Sequence, residues 1–408
     1  MHILLIHQAF VSPSEAGGTR HFELAQRMLR EGHQFSIVAS DLSYLTGKPV
    51  VKREGVVTKE NIQGVRVLRS YTYPSIHRSF VWRVVSFLSF MMSSVWAGLK
   101  AGPIDLVMGT SPPIFQAVSA WLVALLRRKP FLLEIRDLWP EFAIDMGVLK
   151  NRLLIKLSRW LESFLYARAD HILVNSPAYS DYLQQKGITR EKITLIANGV
   201  DIDLFNPQAG NGSVRQKLGL DGNFIITYAG ALGLANDIPT VLRAADKLRA
   251  YKNIRFLFVG DGKERYNLER MAEKMQLSNI IFIGSRPKSE MPGILAASDA
   301  CLAILMDIPM FKTTYPNKVF DYMAAGRPTV LAIDGVIRKV IESARGGIFV
   351  PPGDDKSLAD AVKWMALHPD EILAMGNSAR NYVAKHFNRS TQATEFVRLA
   401  CSLVAKYK

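Results

Sequence analysis

The chain has 408 residues, 49% of them hydrophobic and 21% charged, with a formal net charge of +15. Those proportions exclude a disordered or fibrous chain and leave material for two or three buried cores. The charge favours anionic partners, but no recognition helix, zinc finger or aromatic RNA-binding pattern accompanies it, so nucleic acid is not an expected partner.

In chain order, His2–Phe10 reads as a first buried strand rather than a signal peptide, having neither charged leader nor cleavage site. A loop with Gly17 and Gly18 follows, then a helix near Thr19–Arg30 and a strand at Phe35–Ser40. After an irregular basic region come a strand at Asp105–Thr110, a helix at Ile114–Arg128 and a strand at Phe131–Ile135. Helix Arg152–Arg168, strand His171–Asn175, helix Tyr179–Gln185 and strand Ile193–Ala197 complete this series. The polar, glycine-rich Asn206–Ser213 reads as a linker. A second series then runs through strands at Phe224–Ala229, Ile254–Val259, Ile280–Ile283, Ala300–Leu305 and Thr329–Ile333, with helices between them and a last helix near Thr391–Lys406. Strand–helix alternation of this kind predicts an α/β chain of two Rossmann-like, doubly wound parallel-sheet domains facing a cleft. We place the first at 1–204 and the second at 205–388, with the terminal helix 389–408 packing back on the first.

Two segments bear on membranes. Phe80–Leu99 is apolar apart from a narrow stripe of Ser79, Arg83, Ser86 and Ser93, and its uncharged part is short of the roughly 20 residues that span a bilayer. It is therefore either buried in a domain or laid into a membrane interface. Arg152–Arg168 has an apolar face of Leu153, Leu157, Trp160, Leu161 and Phe164, expected to pack inward with its basic side in solvent. The two cysteines, Cys301 and Cys401, form no spaced motif, which fits a reducing cytoplasm and gives no support to a metal site.

In open parallel sheets, ligands sit beyond the carboxyl ends of the strands, so the loops following strands carry the candidate chemistry. Gly17 and Gly18 let backbone approach a phosphate, and Arg20 and His21 follow them. Arg136-Asp137-Leu138-Trp139-Pro140-Glu141 joins a charge pair, an aromatic and an acid that suit sugar hydroxyls. Gly230 and Gly233, with Asn236 beyond them, bracket a small-residue turn fit for a diphosphate. Gly260 and Arg286 end the next two strands. In Tyr315–Pro328, Asn317 and Lys318 open an apolar helix (Val319, Phe320, Met323), Asp321 lies one turn on, and Gly326 and Pro328 stop it. A helix start presents unpaired N–H groups and partial positive charge, to which Lys318 adds a full charge.

Together, the Gly17-Gly18 loop, Asn198–Phe205, Val259–Gly262 and Asp321–Pro328 make the chain resemble, over nearly its whole length, the retaining GT-B-fold glycosyltransferases of family 4. The Arg136–Glu141 loop resembles the branch that builds bacterial surface polysaccharides and transfers amino sugars. The resemblance implies a nucleotide-sugar donor, expected to be a UDP-sugar, and a saccharide or polyprenyl-diphosphate-linked acceptor. It implies no cofactor and no metal, and a cytoplasmic protein on the inner, anionic face of a membrane. Its donor side comprises Gly17, Gly18, Gly230, Gly233, Asn236, Gly260, Arg286, Tyr315, Asn317, Lys318, Val319 and Asp321, and its acceptor side Arg20, His21, Arg136, Trp139 and Glu141. Asp137, Lys318 and Asp321 are the candidate catalytic groups. Three family features are absent. Thr313 stands where the first of two spaced glutamates is usual, Ala231 and Asn236 replace the basic residues of the glycine loop, and Arg136-Asp137 replaces a His-Asp pair. A GT-B epimerase, which needs clustered acids and histidines, and a non-catalytic relative are the alternatives.

Overall fold

The computed structural model describes residues 1–407 apart from 16, 44–45, 75–79 and 208–212. Ser79 of the expected polar stripe and most of the expected linker lie outside the described residues. The chain divides into two compact units, one of 1–12, 18–197 and 390–408, the other of 13–17 and 198–389. It enters the second unit at Asn198, earlier than the expected boundary, because this segment bonds to that unit. The Asn198 side-chain amide donates to the Tyr315 carbonyl at 2.7 Å, and Val200 N–H donates to the Phe387 carbonyl at 3.0 Å.

The first unit runs β1 (His2–Ile6), α1 (Arg20–Arg30), β2 (Gln34–Ser40), β3 (Val57–Ile62), β4 (Val65–Ser70), α2 (Phe80–Leu99), β5 (Leu106–Ser111), α3 (Ile114–Arg127), β6 (Phe131–Ile135), α4 (Glu141–Asp145), α5 (Arg152–Arg168), β7 (His171–Val174), α6 (Pro177–Gln185) and β8 (Ile193–Leu195). Its sheet has the order β3-β4-β2-β1-β5-β6-β7-β8, parallel throughout except for β3. Alternate residues of a strand face opposite layers. Leu5, Ile37 and Met108 therefore share one core with Phe22 and Met28 of α1. Leu4 faces the other layer, where α2 and α3 meet so closely that a Cβ on Gly98 would lie 2.7 Å from Val123 and 3.4 Å from Leu4. The β3–β4 hairpin is absent from the sequence reading. Its two-residue turn uses Gln63 at φ 50° and Gly64 at φ 89°, where Asn-Gly or Asp-Gly is the usual signal, and β3 is a polar edge strand.

The second unit runs α7 (Ser213–Leu218), β9 (Phe224–Ala229), α8 (Ile238–Lys247), β10 (Ile254–Val259), α9 (Arg265–Lys274), β11 (Ile280–Phe282), α10 (Met291–Ala296), β12 (Ala300–Ile304), α11 (Asn317–Ala324), β13 (Thr329–Ala332), α12 (Val336–Ala344), β14 (Gly347–Phe349), α13 (Asp355–Leu367) and α14 (Pro369–His386). Its six strands are all parallel, in the order β11-β10-β9-β12-β13-β14. Ile226, Phe256 and Leu302 pack with α8 and α13 on one side, while Ile225 and Leu257 pack with Leu220 and Ile294 on the other.

The last helix, α15 (Arg389–Tyr407), supplies Phe396, Val397, Ala400 and Leu403 to the core of the first unit beside α1. Because Phe396 is fully buried, Phe396→Ala is expected to cost about 3–5 kcal/mol. Urea unfolding checks this, and an unchanged midpoint would mean that the helix adds nothing to that core.

Candidate active site

In the second unit, the ends of β9, β10 and β11 continue the parallel pairing into their loops. Gly230 N–H donates to the Val259 carbonyl, Leu232 N–H to Asp261 and Gly260 N–H to Gly284, each at 2.9 Å. The glycines are what let these backbones touch: a Cβ on Gly260 would lie 1.8 Å from the Gly230 carbonyl oxygen.

The first turn of α11 is locked onto this edge from one helix face, since residues three and four apart lie together. Tyr322 accepts from Ala229 N–H at 2.8 Å and donates to the Ala229 carbonyl at 3.2 Å. Lys318 donates from Nζ to the Tyr228 hydroxyl at 2.8 Å and to Asn236 Oδ1 at 3.2 Å, with Nζ 4.1 Å from the centre of the Tyr228 ring. Of three ammonium donors, one is left uncommitted among the described residues. Burial pushes this ammonium down from its ordinary 10.5 to about 7. The ammonium lies so close over Gly230 that a Cβ there would meet it at 2.8 Å. Pro316 caps the helix and makes no side-chain hydrogen bond to the N–H groups at its start. At the other end, Gly326 takes φ 65° and Arg327 N–H returns to the Tyr322 carbonyl at 3.0 Å, ending the helix as expected.

Asp321, on the same face, accepts from Lys288 Nζ at 2.6 Å. Lys288 escaped the sequence reading because nothing local marks it; its Nζ also sits 4.9 Å from the centre of the buried Phe205 ring. Asn317 and Arg286 are exposed, and Arg286 faces Glu290 at 3.8 Å. Val319 is fully buried. Gly233 lies in open backbone near Asn236. Tyr315 packs edge-on against Phe320 and Phe387 at 5.6 and 5.9 Å, so its ring belongs to an aromatic cluster. The Thr313 hydroxyl turns back to the Met310 carbonyl at 2.5 Å.

In the first unit, Arg20 and His21 turn inward instead of presenting themselves to an acceptor. Glu134, fully buried on β6, accepts from Arg20 Nε at 3.0 Å and from His21 Nε2 at 2.5 Å. Arg20 also donates to the Ile196 and Ala197 carbonyls, both at 2.8 Å. Burial alone would raise the Glu134 carboxyl, but His21, Arg20 and Arg136 outweigh it and hold it well below the usual carboxylate range. Burial lowers His21 despite Glu134. His7, which the sequence reading did not single out, stacks edge-on with His21 at 4.5 Å, and neither of its ring nitrogens has a hydrogen-bond partner among the described residues. Arg20, His21 and Glu134 thus cluster as a buried, mutually committed knot.

Arg136 reaches the Pro112 carbonyl at 3.4 Å, and burial pushes the Asp137 carboxyl up to about 6 despite Arg136. Trp139 is half-buried, and Glu141 is held by both donors of Arg159 at 2.8 and 2.9 Å. Gly17 has φ 144°, which favours glycine, and Gly18 leads into α1. Among the described residues, no three His, Cys, Asp or Glu side chains are grouped to hold a metal.

Two parallel α/β units, the second with a cation and a helix start at its strand ends, define the GT-B class of glycosyltransferases. Known proteins agree. A profile described as "Glycosyl transferase 4-like domain" matches residues 16–199, and one described as "Glycosyl transferases group 1" matches 223–367, together most of the chain. The glycosyl transferase WcaI of Escherichia coli (strain K12), named for colanic acid biosynthesis, is 22% identical across 97% of this chain and 98% of its own. Sucrose-phosphate synthase from Thermosynechococcus elongatus superposes with a TM-score of 0.78 at 19% identity, covering 99% of each chain. HepE of Anabaena, in complex with UDP-glucose, gives 0.73 at 18% identity, covering 98% of this chain and 100% of its own. The chain belongs to the group 1, family-4-like glycosyltransferases.

The Tyr322 hydroxyl is the tie that removes most cleanly. Tyr322→Phe leaves the Ala229 N–H without its partner and is expected to cost about 1–3 kcal/mol. Thermal unfolding reads this directly, and an unshifted melting temperature would show that the tie does not hold α11 to β9.

Proposed function

We propose that the chain is a metal-independent, retaining glycosyltransferase. It moves a hexosyl or N-acetylaminosugar unit from a UDP-linked donor to a saccharide or polyprenyl-diphosphate-linked acceptor of a bacterial surface polysaccharide. The observation that carries this reading is Lys318, a half-buried ammonium with a spare donor at an uncapped helix start, beside a backbone edge that only glycine permits. The names of WcaI and of the HepE complex support the polymer class and the donor.

Transfer breaks the bond between the sugar C1 and the diphosphate oxygen and forms one from C1 to an acceptor hydroxyl oxygen. Negative charge grows on the departing diphosphate. Lys318 and the N–H groups at Asn317 and Gly233 meet that charge with donors already in place, where little reorganisation is required. Because a diphosphate leaves readily, the protein has little acid catalysis to supply. Asp137, with its carboxyl near 6, is suited to take the acceptor hydroxyl's proton. Asp321, held by Lys288, receives the donor ribose hydroxyls as a hydrogen-bond acceptor. The buried knot around Glu134 has no free acid to offer a sugar, which weighs against the epimerase.

Removing one such donor costs about 3–4 kcal/mol in the transition state, so Lys318→Ala is expected to lower kcat by roughly a hundredfold or more. Mass spectrometry of a lengthened acceptor after incubation with UDP-sugars measures it. An altered free donor would indicate the epimerase, and near-normal turnover in the variant would remove Lys318 from the mechanism. The pH dependence has a definite sign. Above about 7 the free ammonium is neutral, so binding a diphosphate must take up a proton. UDP affinity therefore weakens as pH rises past 7 in the wild type, by up to about tenfold per unit, and this slope is absent in Lys318→Ala.

A further inference from the structure

We infer that Lys288 is a nucleoside-binding residue, which with Asp321 grips the two ribose hydroxyls of the donor, the lysine donating and the aspartate accepting. This role rests on the transferase reading. Lys288 Nζ donates to Asp321 at 2.6 Å and stands 4.9 Å from the centre of the Phe205 ring. It reaches this place from the loop after β11, which joins the glycine edge through the bond between Gly260 N–H and the Gly284 carbonyl. Pro287, at φ −58°, fixes the backbone that delivers it.

Stability does not account for the pair. Its side chains are 17% and 20% exposed, and among the described residues no other ion pair of the second unit is as shielded from solvent. Taking two charges out of water costs about as much as their attraction returns, so such a pair is a weak source of stability. Nor does the pair use up the ammonium. Lysine carries three donors, and among the described residues Lys288 makes one hydrogen bond. The contact with the buried Phe205 ring steadies the cation without consuming a donor.

What such a pair can still bind is a cis-diol. Each hydroxyl of a diol both donates and accepts, whereas a carboxylate only accepts and an ammonium only donates. Side by side, the two groups offer a diol both of the partners it needs. Position agrees with this. Asp321 follows Lys318 by three residues on one face of α11, about 5 Å farther along the axis. A diphosphate at the helix start brings the ribose attached to it alongside Asp321 and Lys288. A second phosphate is a poor fit for Lys288, because the Asp321 carboxylate already faces its ammonium and repels another anion. The pair therefore reads the sugar of the nucleotide, and the diphosphate is left to Lys318 and the helix N–H groups.

Isothermal titration calorimetry of the full chain with UDP and with 2′,3′-dideoxy-UDP, which keeps the base and diphosphate but has no diol, tests this without recourse to activity. With each charge-assisted hydrogen bond worth about tenfold, the wild type is expected to bind UDP about a hundredfold more tightly than the dideoxy nucleotide. In Lys288→Met, UDP affinity is expected to fall about tenfold while the dideoxy nucleotide binds as before. Added to Asp321→Asn, the same substitution is expected to cost UDP a further several-fold. Equal wild-type affinity for the two nucleotides would overturn this role whatever the variants do. So would an equal loss of both in Lys288→Met, which would make Lys288 a general attraction for the diphosphate. No further loss beside Asp321→Asn would reduce Lys288 to a support for Asp321 and equally overturn it. A wild type that binds neither nucleotide would instead overturn the transferase reading, and this role with it.

Discussion

The attachment of α11 to the end of β9 is the constraint on which the candidate site depends. Two side chains one turn apart make it. Tyr322 completes the backbone of Ala229 in both directions, and Lys318 is drawn over the Tyr228 ring and hydroxyl. The first contact is purely structural. The second puts a cation where burial makes it costly, and the ammonium responds by sitting near neutrality. A cation held below its ordinary proton affinity gains most when an anion arrives, which is why we propose a diphosphate as its partner.

The glycines belong to this constraint. The Gly260 backbone lies against that of Gly230, and Gly230 lies under Lys318. A side chain at either position would separate the loop from its neighbour or displace the ammonium. This chain lacks the basic residues that family relatives commonly place in the glycine loop, and Asn236 instead accepts a hydrogen bond from Lys318. The loop has changed from a source of charge into a holder of charge that α11 supplies.

What the sequence disclosed follows from how local each feature is. The alternation of strands and helices, the stop at Gly326 and the helix start at Asn317 are encoded in adjacent residues, and the structure has all three. The partners of charged groups are not local. Asp321 is 33 residues from Lys288, and Arg20 is 114 residues from Glu134. Arg20 and His21 therefore read as acceptor-side residues although they lie on the inner face of a helix. Glu134 lay inside an apolar strand, where an acid is normally a packing fault unless paired. The orientations of α2 and α5 were equally hidden, because an apolar stripe fits a core and an open face alike. Ser86, Ser93 and Ser94 of α2 are buried, with Ser93 donating to the Tyr71 carbonyl, while Leu157 and Trp160 of α5, expected to pack inward, are exposed.

We propose that Lys318 receives the donor diphosphate. A crystal structure of the protein with UDP tests it most directly. A β-phosphate oxygen is expected within hydrogen-bond distance of Lys318 Nζ and of the N–H groups that open α11. A diphosphate seated elsewhere, with Lys318 making only its bonds to Tyr228 and Asn236, would contradict it.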